Sequence, residues 1–290
     1  MAISSLVKKL RWLFTHPEFR KYPFSVLAGV VQWEYVRMRG ESTVLELGVF
    51  RLRARPHDGF GRLVCYFGEA ADEIFPFLQR YVQPGMTIVD VGANIGTHCL
   101  YSGTRAGSTG HIVAFEPDPT TAELLLENLA ENGLSNVEVH EICLSDTPGR
   151  VELFLNRDSA KTSIVRPSDS PIELDAQRLD AIIEPGTVID LLKIDVEGAD
   201  YKVLEGARHI FEAAPPAIVI IEVTEQGSEI WNFLRSFGYR MCAYDATDDE
   251  LQELEQPTFN CYAIHESVPL SHVGNDRYRL VKLVDVSHAV

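Results

Sequence analysis

Three spacings of apolar residues follow one another along the chain, and each predicts a different kind of element. Within residues 1–39, Ile3, Leu6, Val7, Leu10, Leu13 and Phe14 recur at helical spacing, with Lys8, Lys9 and Arg11 off that stripe. This predicts an amphipathic helix. From Thr43 to Phe67 the runs are short: Val44 to Leu47, Val49 to Arg53 and Arg62 to Phe67, broken at His57-Asp58-Gly59. They predict strands joined by hairpin turns, an antiparallel cap. Arg51, Arg53 and Arg55 alternate and so share one face of it, a solvated strand face more economically than a surface for anionic substrates.

After a helical segment, Glu73 to Tyr81, and a Pro84-Gly85 turn, the third spacing begins. Short β-branched runs now alternate with helical segments. Thr87 to Val91 and His111 to Phe115 are strands flanking a helix; Pro119 to Asn132 is a helix stopped at Gly133. Val137 to Leu144 and Val151 to Leu155 predict further strands. Val188 to Ile194 and Ala217 to Ile221 are mainly apolar, as strands buried on both faces are, and the helix Tyr201 to Phe211 lies between them. A helix from Gly227 to Phe237 and strands Tyr239 to Tyr244 and Cys261 to His265 close the pattern, with acidic Asp245 to Glu255 between those strands. The class is α/β with a mostly parallel sheet and helices on both faces. The expected division is a helical segment and β cap over 1–83, then a ligand-binding domain over 84–290.

The candidate chemistry lies at the ends of these strands. Gly92-Ala93-Asn94-Ile95-Gly96 follows the first parallel strand, and Glu116, at the tip of the second, stands 20 positions after Gly96. Glycines let a backbone approach a nucleotide, helix N–H groups receive it, and an acid at that offset accepts bonds from ribose hydroxyls. Asn94 and Thr97 occupy places where a dinucleotide fingerprint would carry glycine. A pyrophosphate is therefore a poor fit. Asp90, two residues before Gly92, argues for a ligand with a positive group, and S-adenosylmethionine, with its sulfonium and ammonium, satisfies both conditions. A ligand-free doubly wound domain whose glycines only make the turn is the plainer alternative.

A second cluster is expected where Asp195 and Glu197 follow Leu191 to Ile194 and Glu222 follows Ala217 to Ile221. Carboxylates on neighbouring strand tips can hold Mg²⁺ or serve as a general base toward a hydroxyl. Asp195 and Glu222 are the candidate metal ligands. The alternative is that Glu197 and Glu222 cap helices and pair with Lys193 or Lys202. Asp146, in Ser145-Asp146-Thr147-Pro148-Gly149, could receive an adenine amino group, or simply serve the turn. An acceptor pocket is expected from the cap and from Asn156 to Asp175, with Lys161, Thr162, Ser163 and Arg166.

Charge narrows the partners. Residues 1–62 hold 11 Lys/Arg against 5 Asp/Glu, a balance of +6 within a chain of −16, so the remainder carries −22. An acidic body disfavours nucleic acid. The amphipathic start could dock on the domain it precedes, on a second subunit, or on an anionic membrane surface; docking is the commoner use of such a pattern. No run approaches the ~20 apolar residues of a transmembrane helix, and a signal peptide is not expected. Five scattered cysteines without a Cys-x-x-Cys pair indicate neither a disulfide framework nor a zinc site, which fits a reducing, cytoplasmic setting.

These residues carry a family resemblance. Val89 to Gly96, then Val113 to Pro119, Asn128 with Asn132, Leu179-Asp180, and Leu192-Lys193-Ile194-Asp195-Val196-Glu197-Gly198-Ala199, in this order, resemble the FkbM family of S-adenosylmethionine-dependent methyltransferases over about residues 84–240. The resemblance implies a class I Rossmann-like methyltransferase fold with a seven-stranded sheet, and O-methylation of a sugar or natural-product scaffold. It places Asp90, Gly92, Asn94, Gly96 and Glu116 at the cofactor, and Lys193, Asp195 and Glu197 over the reaction site. Asp200 stands where the family often has Glu. The competing expectations are a non-catalytic cofactor-binding protein, which would be expected to lose the strand-tip acids, and a nicotinamide oxidoreductase, which would prefer a third glycine.

Overall fold

Mainly apolar runs rich in Val, Ile and Leu can be buried on both faces, and four such runs, Thr87–Val91, His111–Phe115, Leu191–Ile194 and Ile218–Glu222, form the centre of the larger unit. A computed structural model describes residues 14–154, 171–223, 226–258 and 260–268. The chain divides into two units, residues 1–73 and residues 74–290.

In the first unit, short Pro17–Lys21 and longer Pro23–Arg39 helices precede a hairpin of β1 (Thr43–Leu47) and β2 (Phe50–Ala54). Phe50, Leu52 and Ala54 are buried and alternate with exposed Arg51 and half-buried Arg53, as a one-sided hairpin requires. Arg62 to Phe67, expected as a strand, is instead part of a helix, Gly59–Phe67. A short apolar run does not by itself distinguish the two states. What decides is close packing of helix on helix: a Cβ on Gly29 would lie 2.2 Å from the Cys65 carbonyl oxygen. Of the expected N-terminal amphipathic stripe, all but Phe14 lies outside the described residues.

In the second unit, a helix (Ile74–Tyr81) leads into β3 (Thr87–Val91), followed by β4 (His111–Phe115), β5 (Val137–His140), β6 (Cys143–Leu144), β7 (Gly149–Phe154), β8 (Pro171–Gln177), β9 (Leu191–Ile194), β10 (Ile218–Glu222), β11 (Tyr239–Asp245), β12 (Glu250–Glu253) and β13 (Asn260–His265). The main sheet has the order β12-β11-β13-β10-β9-β3-β4-β5. Strands β5, β4, β3, β9 and β10 are mutually parallel, and β13 is antiparallel to both β10 and β11. This is the class I Rossmann-like methyltransferase arrangement, with an eighth strand where seven were expected: the acidic stretch after Asp245 turns back on β11 as β12. Two further expectations are corrected. Val137 to Leu144 is divided between β5, in the main sheet, and β6, which joins β8 and β7 in a separate three-stranded sheet. The helix expected over 201–211 is two, Asp200–Gly206 and Arg208–Ala213, broken at Ala207.

Both faces of the sheet are buried. Val89, Val91, Val113, Phe115, Leu192, Ile194, Val219 and Ile221 pack in one core with Val203, Leu204, Ile210, Phe233 and Leu234. Ile88, Ile112, Leu191, Ile218 and Ile220, one residue out of phase, are buried on the other face. The residues out of phase also include two charges, Asp90 and Lys193.

Candidate cofactor and catalytic site

The turn after β3 is built by the fold before any ligand is considered. Gly92 has φ +80°, and a Cβ there would lie 1.9 Å from the Asp195 carbonyl oxygen, where the ends of β3 and β9 run side by side. Gly96 has φ +93°, and a Cβ there would lie 2.3 Å from Leu125 Cδ1. The plainer reading of the glycines thus has a physical basis: both are required by neighbouring atoms. Asn94, also left-handed at φ 52°, accepts from the Ile95 N–H through its own side chain at 2.8 Å. The Gly92 and Ala93 N–H groups donate to the Phe115 carbonyl, both at 2.9 Å. Asn128, buried within the Pro119–Glu131 helix, donates to the Ile95 carbonyl at 2.9 Å. Its signal in the sequence is a polar residue on the apolar face of a leucine-rich helix.

Glu116 is at the tip of β4 and buried. One carboxyl oxygen accepts from the Asn94 N–H at 2.8 Å and the other from the Asp118 N–H at 3.0 Å. Burial pushes its carboxyl up to about 7 against the lowering effect of those two bonds. Each carboxylate oxygen retains a second lone pair. An acid so fixed beside the glycine turn fits a ligand presenting two vicinal hydroxyls. Gly96, at the N-cap of the Thr97–Ala106 helix, makes no side-chain cap hydrogen bond. The residues present therefore fit an adenosine cofactor, with Glu116 at the ribose.

Asp90 and Lys193 occupy paired positions on β3 and β9, and Lys193 Nζ is 3.2 Å from Asp90 Oδ1. The Cys99 thiol donates to Asp90 Oδ2 at 3.1 Å. Burial raises the Asp90 carboxyl, but the Lys193 and His98 charges and the bonds to Cys99 and Lys193 outweigh it and hold it below the usual range. Lys193 also reaches Asp195 Oδ2 at 3.4 Å. It thereby links a buried acid to an accessible one.

One position beyond the Ile194–Ile221 pair, the tips of β9 and β10 carry Asp195 and Glu222. Glu197 has φ 52°, a conformation that costs a non-glycine residue of order 1 kcal/mol or more. Asp200 accepts from the Val196 and Gly198 N–H groups at 3.2 and 3.1 Å and so shapes this turn; burial pushes its carboxyl up to about 6. Burial, then the negative charges of Asp195, Glu197 and Asp200, push Glu222 up to about 7. Glu222 Oε2 is buried and has no hydrogen-bond partner among the described residues. No group of three or more His, Cys, Asp or Glu side chains that could hold a metal occurs among the described residues. The donor set expected for Mg²⁺ at Asp195 and Glu222 stays at two.

Asp146 accepts from the Ser145 hydroxyl at 2.9 Å, while its backbone carbonyl receives Arg178 Nη1 at 2.7 Å. Arg178 also holds both Asp180 oxygens and the Glu205 carbonyl. This arginine, unremarked in the sequence, gives Leu179-Asp180 a structural use. Lys161, Thr162, Ser163 and Arg166 lie outside the described residues; Pro171 to Asp175, the end of the expected acceptor stretch, belongs to β8.

The family described as the methyltransferase FkbM domain matches residues 90–241, just over half of the chain. A hexuronic acid methyltransferase, AglP, of Haloferax volcanii is 29% identical over 136 residues, covering 46% of this chain and 54% of that protein. The methyltransferase sdnD of Sordaria araneosa is 30% identical over 154 residues, covering 41% and 59%. The chain thus spans little more than half the length of these relatives. A solved structure of Aeropyrum pernix fibrillarin with S-adenosyl-L-methionine aligns at a TM-score of 0.40 and 15% identity, over 66% of this chain and 74% of that one. So distant a likeness adds nothing to what the strand order carries.

Proposed function

The chain belongs to the FkbM methyltransferase family, a family of S-adenosylmethionine-dependent enzymes, and on that premise we propose that it methylates a hydroxyl group of a sugar or natural-product-like small molecule. The observation that carries this reading is Glu222 Oε2, a buried carboxyl oxygen without a hydrogen-bond partner among the described residues, in a group pushed up to about 7. A hydroxyl must lose its proton as the new bond forms, and a base poised near neutrality takes it most effectively. When bound, S-adenosylmethionine supplies a methyl on a cationic sulfur that departs as a neutral thioether. Glu116 orients the ribose, and the turn at Gly92 sets the close approach of β3 to β9. Glu222 accepts the hydroxyl proton, while burial, and then the charges of Asp195, Glu197 and Asp200, keep its carboxyl from ionising at lower pH. Lys193 acts indirectly, by anchoring Asp195 beside Asp90. The tips of β4 and β10 are three strand spacings apart, about 14 Å, so the cofactor acid and the base flank the reaction site rather than share it.

The Haloferax relative's name gives a hexuronic acid, which supports an anionic sugar as the first acceptor to try. Such a sugar offers hydroxyls and a carboxylate, and only the hydroxyls need a base. The test is mass spectrometry of a panel of sugars, uronic acids and hydroxylated metabolites incubated with the chain and S-adenosylmethionine. A gain of one methyl that survives mild alkali is an ether and supports the reading. A product cleaved by alkali is an ester and refutes O-methylation of a hydroxyl; cofactor binding with no product across the panel favours a binding protein.

A further inference from the structure

The Pro23–Arg39 helix is apolar on two opposite sides. At about 100° per residue, Val26, Gly29, Trp33 and Val36 form its buried side. Phe24, Leu27, Val31, Tyr35 and Met38 fall together on the other, within an arc of about 80°, and all are exposed, Phe24 at 86% and Met38 at 79%. Tyr22, just before the helix, is 61% exposed. A single exposed apolar residue is ordinary, whereas five in one line over a 17-residue helix mark a contact surface.

We infer that this stripe lies on an anionic lipid surface. Arg37 and Arg39 end the helix, and Arg20 and Lys21 precede it. Three of these cations pair with carboxylates: Lys21 with half-buried Glu18 at 3.1 Å, and Arg37 and Arg39 with exposed Glu34 and Glu41 at 2.9 and 2.8 Å. Pairs so exposed contribute little and exchange readily for lipid phosphates. The charge of the chain is segregated in the same sense, +6 over residues 1–62 and −22 over the rest. A negative surface therefore attracts the part of the chain that carries the stripe and repels the remainder, which orients the molecule as well as holding it. A second copy is the competing occupant. A two-fold contact would set the same patch against itself, and because Arg20 and Lys21 precede the helix while Arg37 and Arg39 end it, cations of the two copies would meet whether the helices ran parallel or antiparallel. The residue types agree with lipid: Phe24, Leu27, Val31 and Met38 provide depth, and Tyr22 and Tyr35 have the apolar ring and polar tip suited to an interface. Among the described residues no helix is long and apolar enough to cross a membrane; the contact lies in the plane of the surface, and the buried side of the helix keeps its packing.

The experiment is flotation of the full chain with vesicles of phosphatidylcholine alone and of phosphatidylcholine with phosphatidylglycerol, at low and high salt, beside sedimentation velocity without lipid. The wild-type chain is expected to float with the anionic vesicles, at least about tenfold more than with the neutral ones, and to be released by salt. The combined variant Phe24→Ser, Val31→Ser, Met38→Ser changes exposed side chains only, so its thermal melt and S-adenosylmethionine affinity should match wild type while flotation is lost. Arg37→Gln with Arg39→Gln should weaken flotation and flatten its salt dependence. Flotation of neither protein, or of wild type and triple variant alike, overturns the inference. A dimer that the triple variant dissociates, without flotation, assigns the stripe to a second copy and overturns it too.

Discussion

Lys193 Nζ lies 3.2 Å from Asp90 Oδ1, joining residues 103 positions apart in the chain, and each side chain is only 3% exposed. A lysine in this position is first of all the counterion of a buried acid. Removing one member of such a pair leaves the other charged and desolvated. Lys193→Met is therefore expected to destabilise the chain by about 3 to 5 kcal/mol. Asp90→Leu with Lys193→Met should recover much of that loss. Urea melts of the single and double variants measure both, and a single variant as stable as wild type would show that the pair is not buried in solution.

Glu116 has two duties, and two substitutions separate them. Glu116→Ala leaves the Asn94 and Asp118 N–H groups without an acceptor, at about 1 to 3 kcal/mol each, and should both destabilise the chain and weaken cofactor binding. Glu116→Gln keeps one acceptor and the shape. It should melt closer to wild type while S-adenosylmethionine affinity falls about tenfold or more, the loss of a charge-assisted bond. Calorimetry with S-adenosylmethionine, with its demethylated product and with NAD as control is the measurement. Heat with NAD alone would contradict the assignment.

Glu222 predicts a pH dependence. As a base it must be ionised, so turnover should fall as pH drops through about 7, with a limiting slope of one decade per pH unit. Glu222→Gln should abolish this limb and most of kcat, leaving cofactor affinity near wild type. Stability follows the opposite sign. Glu116 and Glu222 at about 7 and Asp200 at about 6 hold protons in the folded state that the unfolded chain has already released. Their contribution is therefore present below the ordinary carboxyl range and lost as pH rises through 6 to 7. Thermal melts between pH 4.5 and 8 in the absence of cofactor test this; Asp90, with its carboxyl lowered, works against the trend only in stronger acid.

Gly92→Ala and Gly96→Ala should differ although both residues have positive φ. At Gly92 the obstacle is the Asp195 carbonyl, part of the backbone; at Gly96 it is the end of the Leu125 side chain. Each change costs about 1 to 2 kcal/mol in backbone strain. Only the first must also separate two strands. Gly92→Ala is expected to be the more destabilising and to abolish cofactor binding, whereas Gly96→Ala lets Leu125 turn aside. Equal melting temperatures would contradict the packing described here.

Chelation provides the last test. With two carboxylates and no third His, Cys, Asp or Glu ligand beside them among the described residues, turnover in EDTA should equal turnover with added Mg²⁺. Activity that requires Mg²⁺ would contradict this expectation and restore Asp195 and Glu222 as candidate ligands.

The central strands of the second unit, β3, β4, β9 and β10, and the acids that stand at their tips are legible in the amino-acid order alone. Apolar runs bounded by glycine and acid report which segments are buried and where they stop, and that information is local. The turn residues were legible for the same reason, although the demand on Gly92 comes from a carbonyl of another strand. The rest depends on packing between segments distant in the chain. Arg62 to Phe67 became helical because Gly29 admits the Cys65 carbonyl. The acidic stretch after Asp245 became an eighth strand because β11 offered it an open edge. Lys193, a signature residue in the sequence, became the buried partner of Asp90, and Glu222 became a carboxylate with one buried oxygen unpartnered among the described residues. Burial, pairing and pKa are set by what packs against a side chain, and for Asp90 and Lys193 the partner comes from a strand 103 residues away.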